Sequence, residues 1–297
     1  MPFVPFCKLQ DGYNVKKIQK NRDNGVFFCI KLVFSLVGIT LTDNLFWGWE
    51  VAMFSFYCRS AVRIADGFDK AFEYLKSLSA ERDAEEVLWQ TRRKKVVRFA
   101  IPPEYAPGNP PDYQVVWKFY GEKRFFRYLF RPSLAFREWN GYKLAEDCGI
   151  PVAKVLAAAE NRRGVRLKDS IFVTEFLRCT GDGDDFRCGG CRVQERELAM
   201  EFTRKNLLLL VKLHRAGLVH GGFTPRNELY ILKPDGSGQP GDRMDVVWID
   251  LATCRKVPWL LRRYLQRKEL AVFLEQMDFP PETIAELRQF YLAAMAR

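Results

Sequence analysis

The feature that most constrains this chain is a set of polar residues, far apart in sequence, each placed against an apolar segment. Lys118 closes the run VVWK. Glu138 follows in Leu134–Cys148, where Ser133 offers an N-cap, Gly149 a stop and Pro151 a block to continuation, so a helix is expected. Asn227 lies beyond His220 in VHGGFTPRN, and Asp250 ends the run VVWID. Each alone is ordinary: a strand Lys with a helix Glu is commonly a surface pair, and Asp often only turns a chain. Together they limit the fold to one that gathers a strand end, a helix face, a loop and a second strand end.

The intervening pattern says how. KKVVRFAIPP and YQVVWKFYG read as strands around a Pro/Gly loop, followed by Val152 to Ala159 and SIFVTEFL as further strands. Glu195 to Ala216 has Leu198, Phe202, Leu209 and Leu213 on one helical face. A hairpin is expected at Leu229–Leu232 and Val246–Ile249, then helices over Leu260–Met277 and Pro281–Ala296. Strands with one helix first and mostly helices after predict an α+β protein of two lobes. Residues 91–177 form the strand-rich N-lobe and 178–297 the helical C-lobe, with 1–90 as an N-terminal extension that includes a helix over Ala65–Leu88.

Phosphoryl transfer is the chemistry that asks for these residue types. It needs a cation on the nucleotide phosphates, carboxylate and amide ligands for magnesium, and a group that orients the attacking hydroxyl. Lys118 supplies the cation and Glu138 holds it. Asn227 and Asp250 are the metal ligands, and His220 heads the catalytic loop. The backbone of TEFL, with Glu175 and Leu177, is placed to meet adenine. The order is that of a protein-kinase-like fold, with ATP and Mg as cofactors.

Composition sets outer limits. The net charge of +11 admits an anionic membrane, a nucleotide or an acidic glycolipid as partner, or a solvated surface with none. No stacking or zinc motif supports nucleic acid. The eight scattered cysteines fit a reduced, cytosolic protein, and CGGC (Cys188 to Cys191) without a second pair is weak as a metal site. Val26–Thr42 is apolar but contains Lys31, leaving membrane insertion, a packed extension or a true start at Met53 all open.

The span RYLFRPSLAFREWNGYKLAEDCGIPVAKVLAAAE, with VTEFL, LHRAGLVHGG, Asn227 and WID, resembles the bacterial lipopolysaccharide kinase family of Kdo and heptose kinases. RRYLQRKELAVFLEQM is similar to that family's basic helix, with Glu269 in place of Asp. The resemblance covers about residues 95 to 295. It implies an ATP- and magnesium-dependent transferase acting on a sugar hydroxyl of a lipid-linked oligosaccharide, peripheral at the cytoplasmic face of the inner membrane. Arg255, Lys256, Arg262, Arg263, Arg267 and Lys268, with no acidic residue among them, are placed to hold phosphates or anionic lipid, or form only a solvated helix face. One departure stands out. Kinases of this fold carry Asp, as HGD or HRD, where this chain has Gly222. The alternative reading is therefore a pseudokinase that binds nucleotide and regulates a partner.

Overall fold

The computed structural model describes residues 61–78, 83–121, 128, 131–164, 166–187, 193–233 and 243–296. The readings for Val26–Thr42, Met53 and Cys188/Cys191 lie outside them. The first lobe is a six-stranded antiparallel sheet in the order β1-β5-β6-β4-β3-β2, from Ala61–Ile64 (β1), Glu86–Gln90 (β2), Lys94–Ile101 (β3), Tyr113–Gly121 (β4), Val155–Arg163 (β5) and Arg166–Glu175 (β6). Helices α1 (Asp69–Ser77) and α2 (Leu134–Asp147) belong to the same lobe.

Alternation along the strands decides what each sheet face meets. On β4, Val115 and Trp117 join Phe68, Phe72 and Leu75 of the α1 segment in one buried cluster. Tyr120 falls in the other cluster, with Trp139 and Tyr142 of α2. Lys118, between Trp117 and Phe119, shares the Tyr120 face. A single β-period thus puts the lysine under α2 rather than under α1.

Residues 61–90, assigned from the sequence to an extension, contain β1 and β2, both strands of this sheet, and α1, which packs against it. The helix expected over Ala65–Leu88 is corrected: α1 is nine residues, and Glu86–Gln90 pairs with β3 instead. Val87, Leu88 and Trp89 favour a strand, and the open edge of β3 supplies the backbone partners.

Helix α2 begins as expected, with Ser133 Oγ accepting from the Phe136 amide. The buried Glu160 carboxylate accepts from the Ser133 amide and from Arg162, whose guanidinium also reaches the Tyr128 and Arg131 carbonyls. This pins the start of α2 to β5. Gly141 lets the middle of α2 lie against the chain after Asp250, since a Cβ there would sit 1.9 Å from the Leu251 carbonyl oxygen.

The second lobe holds α3 (Val193–Arg215), α4 (Trp259–Gln276) and α5 (Pro281–Ala296). Beside them are a three-stranded sheet, β10-β9-β7 (Met244–Trp248, Glu228–Leu232, Gly181–Asp182), and the pair β11-β8 (Arg255–Lys256, Leu218–Val219). The hairpin at β9 and β10 and the last two helices fall where the sequence puts them. Among the described residues no helix is long and apolar enough to cross a membrane.

Candidate active site

Four elements bring the predicted residues together between the lobes. Lys118, from β4, forms a buried ion pair with Glu138 Oε1 from α2, and the Tyr120 hydroxyl donates to Glu138 Oε2. Burial would lower the Lys118 pKa, but Glu138 holds the ammonium charged, above its usual range.

Asp250 follows β10 in a left-handed backbone conformation (φ 59°, ψ 47°), which turns its carboxylate toward the lysines. Lys94 Nζ lies 3.2 Å from Asp250 Oδ2 and over the Tyr120 ring. Partial burial would raise the Asp250 carboxyl, but Lys118 and Lys94 outweigh it and keep the group below its usual range. Sequence reasoning missed Lys94 and Tyr120. The only signal was the basic turn TRRK before β3 and the alternation that pairs Tyr120 with Lys118.

Asn227 ends a short helical turn, and its backbone carbonyl accepts from the Ile249 amide at 2.8 Å, one residue before Asp250. Its Nδ2 donates to the Gly222 carbonyl at 2.9 Å, so Oδ1 is the side-chain atom left to act as a ligand. One carboxylate and one amide oxygen suit magnesium, which keeps several waters and takes few protein ligands. Lys94 already occupies a cation's place on that carboxylate, so the donor set fits.

The loop between β8 and β9 is held from below. Glu269 of α4 accepts from the His220 amide (3.1 Å), the Gly221 amide (2.6 Å) and His214 Nε2 (2.9 Å). Burial would raise the Glu269 carboxyl, but the bonds from His214 and the Gly221 amide help hold it below its usual range. The Glu expected at the family's Asp position thus has a definite role in the loop's shape. His220 is fully buried against Phe223 and Trp248, its Nδ1 accepts from the Gly222 amide, and burial keeps it neutral. Gly222 does not need to be glycine for backbone reasons. A Cβ there would meet Thr253 Oγ1 at 3.2 Å, a contact a hydroxyl can relieve by turning.

Glu175 and Leu177 flank the end of β6. The Glu175 amide donates to the Lys154 carbonyl and the Phe176 amide to that of Gln114.

Directly after Asn227, Glu228 is fully buried with neither carboxylate oxygen in a hydrogen bond. Burial, with Glu269 adding to it, raises its pKa well above the ordinary 4.5, and the nearby Thr224 amide opposes this only in part. A raised folded-state pKa gives stability that is full below the unfolded value and is lost as pH climbs through the folded one. Glu228→Gln removes that loss. Melts should show a gain of about 2–4 °C at pH 8 and almost none at pH 4.5. An equal gain at both would mean that ionisation of Glu228 is not what costs stability.

The model of the lipopolysaccharide kinase (Kdo/WaaP) family matches residues 121–291. A structure of WaaP in complex with acyl carrier protein is similar in fold, with a TM-score of 0.53 at 18% identity, over 80% of this chain and 89% of that one. A Rio2 kinase-ADP/Mg2+-phosphoaspartate complex from Chaetomium thermophilum matches 78% of this chain and 67% of that one, at 15% identity and a TM-score of 0.44. No curated protein matches the sequence. The architecture is the two-lobed α+β fold of protein-kinase-like enzymes.

Proposed function

Because the chain belongs to the lipopolysaccharide kinase (Kdo/WaaP) family it is a kinase, and we propose that it phosphorylates a Kdo or heptose hydroxyl of a lipid-linked inner-core oligosaccharide. The observation that carries this reading is the buried Lys118–Glu138 pair with Asp250 beside it, set between two lobes. Magnesium ATP, when bound, supplies the phosphoryl group and neutralises charge as that group is transferred.

This chain's residues divide the remaining work. Lys118 holds phosphate oxygens, with Glu138 and Tyr120 fixing its ammonium. Asp250 and the Asn227 amide oxygen would hold the metal. Lys94 adds a second cation at the mouth of the cleft, where entering phosphates take over its partner role from Asp250. With the Glu175 and Phe176 amides engaged, a backbone N–H for adenine on this segment falls to Leu177, and Glu175 can contribute only through its carbonyl. His220 shapes the loop from within the core. At Gly222 no carboxylate accepts the acceptor's proton. In a transfer governed mainly by positioning and charge, that proton leaves late, to water.

The substrate class places the protein peripherally at the cytoplasmic face of the inner membrane. The test is phosphate transfer from labelled ATP to dephosphorylated inner-core lipopolysaccharide, with and without magnesium. Magnesium-dependent label on the sugar is expected. Label released only as inorganic phosphate, over Kdo and heptose acceptors alike, would overturn the substrate assignment.

A further inference from the structure

The chain leaving the catalytic loop leads to a surface that phosphate transfer does not use. Strand β11 pairs with β8, which feeds His220, and two residues later α4 begins. Its first turns carry the three most exposed large apolar side chains among the described residues, Trp259 (75%), Leu260 (70%) and Tyr264 (64%), with Leu261 (52%) beside them. At 100° per residue, Leu260 and Tyr264 lie side by side on the outward face. Arg263 and Arg267 flank them on one side and Lys268 on the other, all exposed. Arg255 and Lys256, also exposed, extend the basic set toward the loop. The opposite face of the same helix is buried through Gln266, Glu269 and Leu270. The first acidic residue after Asp250 is Glu269, which is turned inward and held by the catalytic loop.

We propose that the outward face of α4, Trp259 to Lys268, docks on an anionic lipid bilayer and so holds the catalytic loop at the membrane surface. Two independent properties select this partner. The charge is of one sign, which suits lipid phosphates, and each such side chain near an anionic surface adds about 1 kcal/mol. The apolar set is Trp, Tyr and Leu on a convex helix end, exposed nearly all round from Pro258 to Tyr264. Aromatic rings with a polar edge settle at the headgroup boundary, which receives a projecting end without a matching groove. Choosing a bilayer over an acidic protein rests on the reading that the acceptor is lipid-linked.

The test uses the full chain with phosphatidylglycerol/phosphatidylethanolamine vesicles and with phosphatidylcholine vesicles. It is read by co-sedimentation and by hydrogen exchange of residues 258–268. Anionic vesicles should slow exchange there at least about tenfold, and neutral ones should not. The Leu260→Glu/Tyr264→Glu variant, altered only at exposed positions, should lose that protection, as should the wild type in 1 M salt. Co-sedimentation with unchanged exchange at 258–268 would place membrane contact elsewhere and overturn the proposal. Protection by an acidic protein but not by vesicles would assign the surface to a protein partner and also overturn it. Transfer to a delipidated sugar acceptor, followed in parallel, reports on the kinase reading alone, so the two can fail separately.

Discussion

Asp250→Asn should lower kcat/KM for phosphate transfer by about a thousandfold or more while leaving the melting temperature nearly unchanged. Asparagine accepts the left-handed backbone that Asp250 adopts, so the change removes charge without adding strain. What is lost is the charged metal ligand, in a site where magnesium takes few protein ligands. About 4 kcal/mol of transition-state stabilisation corresponds to that factor. Lys118 and Lys94 also lose the carboxylate that faces them, so nucleotide affinity measured without magnesium should fall less than affinity measured with it, or even rise. A variant within about threefold of wild type in kcat/KM would show Asp250 to be structural.

Gly222→Asp should raise kcat by about 10²- to 10⁴-fold, the usual worth of a positioned base, with little change in KM. The loop tolerates the addition. Gly222 is not among the positive-φ glycines, and its nearest neighbour for a new Cβ is the Thr253 hydroxyl. Its amide and carbonyl are already fixed by His220 and Asn227, so a carboxylate would enter a loop whose backbone is set. A fall in kcat would mean that the wild type uses another base, in a pocket that the new side chain crowds. No transfer by wild type or variant over a range of acceptors, with nucleotide still bound, would leave the pseudokinase.

Much of this site was legible because local rules wrote it. Ser133, Gly149 and Pro151 bound the helix that carries Glu138, and strand alternation turned Lys118 toward it. What escaped were contacts that no local rule implies. The Lys94–Asp250 pair joins residues 156 apart, across the two lobes, and nothing in TRRK marks which cation will reach the cleft. Glu269 drew notice only as a replacement for Asp in a basic helix. Its three hydrogen bonds to the loop and to His214 exist because α4 folds back beneath β8. Residues 61–90 were misjudged for a related reason. Their charged, apolar-spaced sequence suits a helix over most of its length, and only the sheet, with an open edge at β3 and an uncovered face, decides otherwise.

That uncovered face bears on how recombinant fragments of the protein are cut. The segment shared with the family begins at residue 121, and a boundary drawn from it, or from the apparent change at residue 91, would look economical. Either would remove Phe68, Ala71, Phe72 and Leu75, each at most 3% exposed beneath the sheet; the cut at 91 would bare Val97, Phe99, Val115 and Trp117 to water, and the cut at 121 would take β3 and nearly all of β4, Lys118 included. With the cut at 91, the lost β1 and β2 would free the outer edges of β5 and β3 for pairing with other chains. Insolubility of such a fragment would then report on its boundary and say nothing about the enzyme's intrinsic stability.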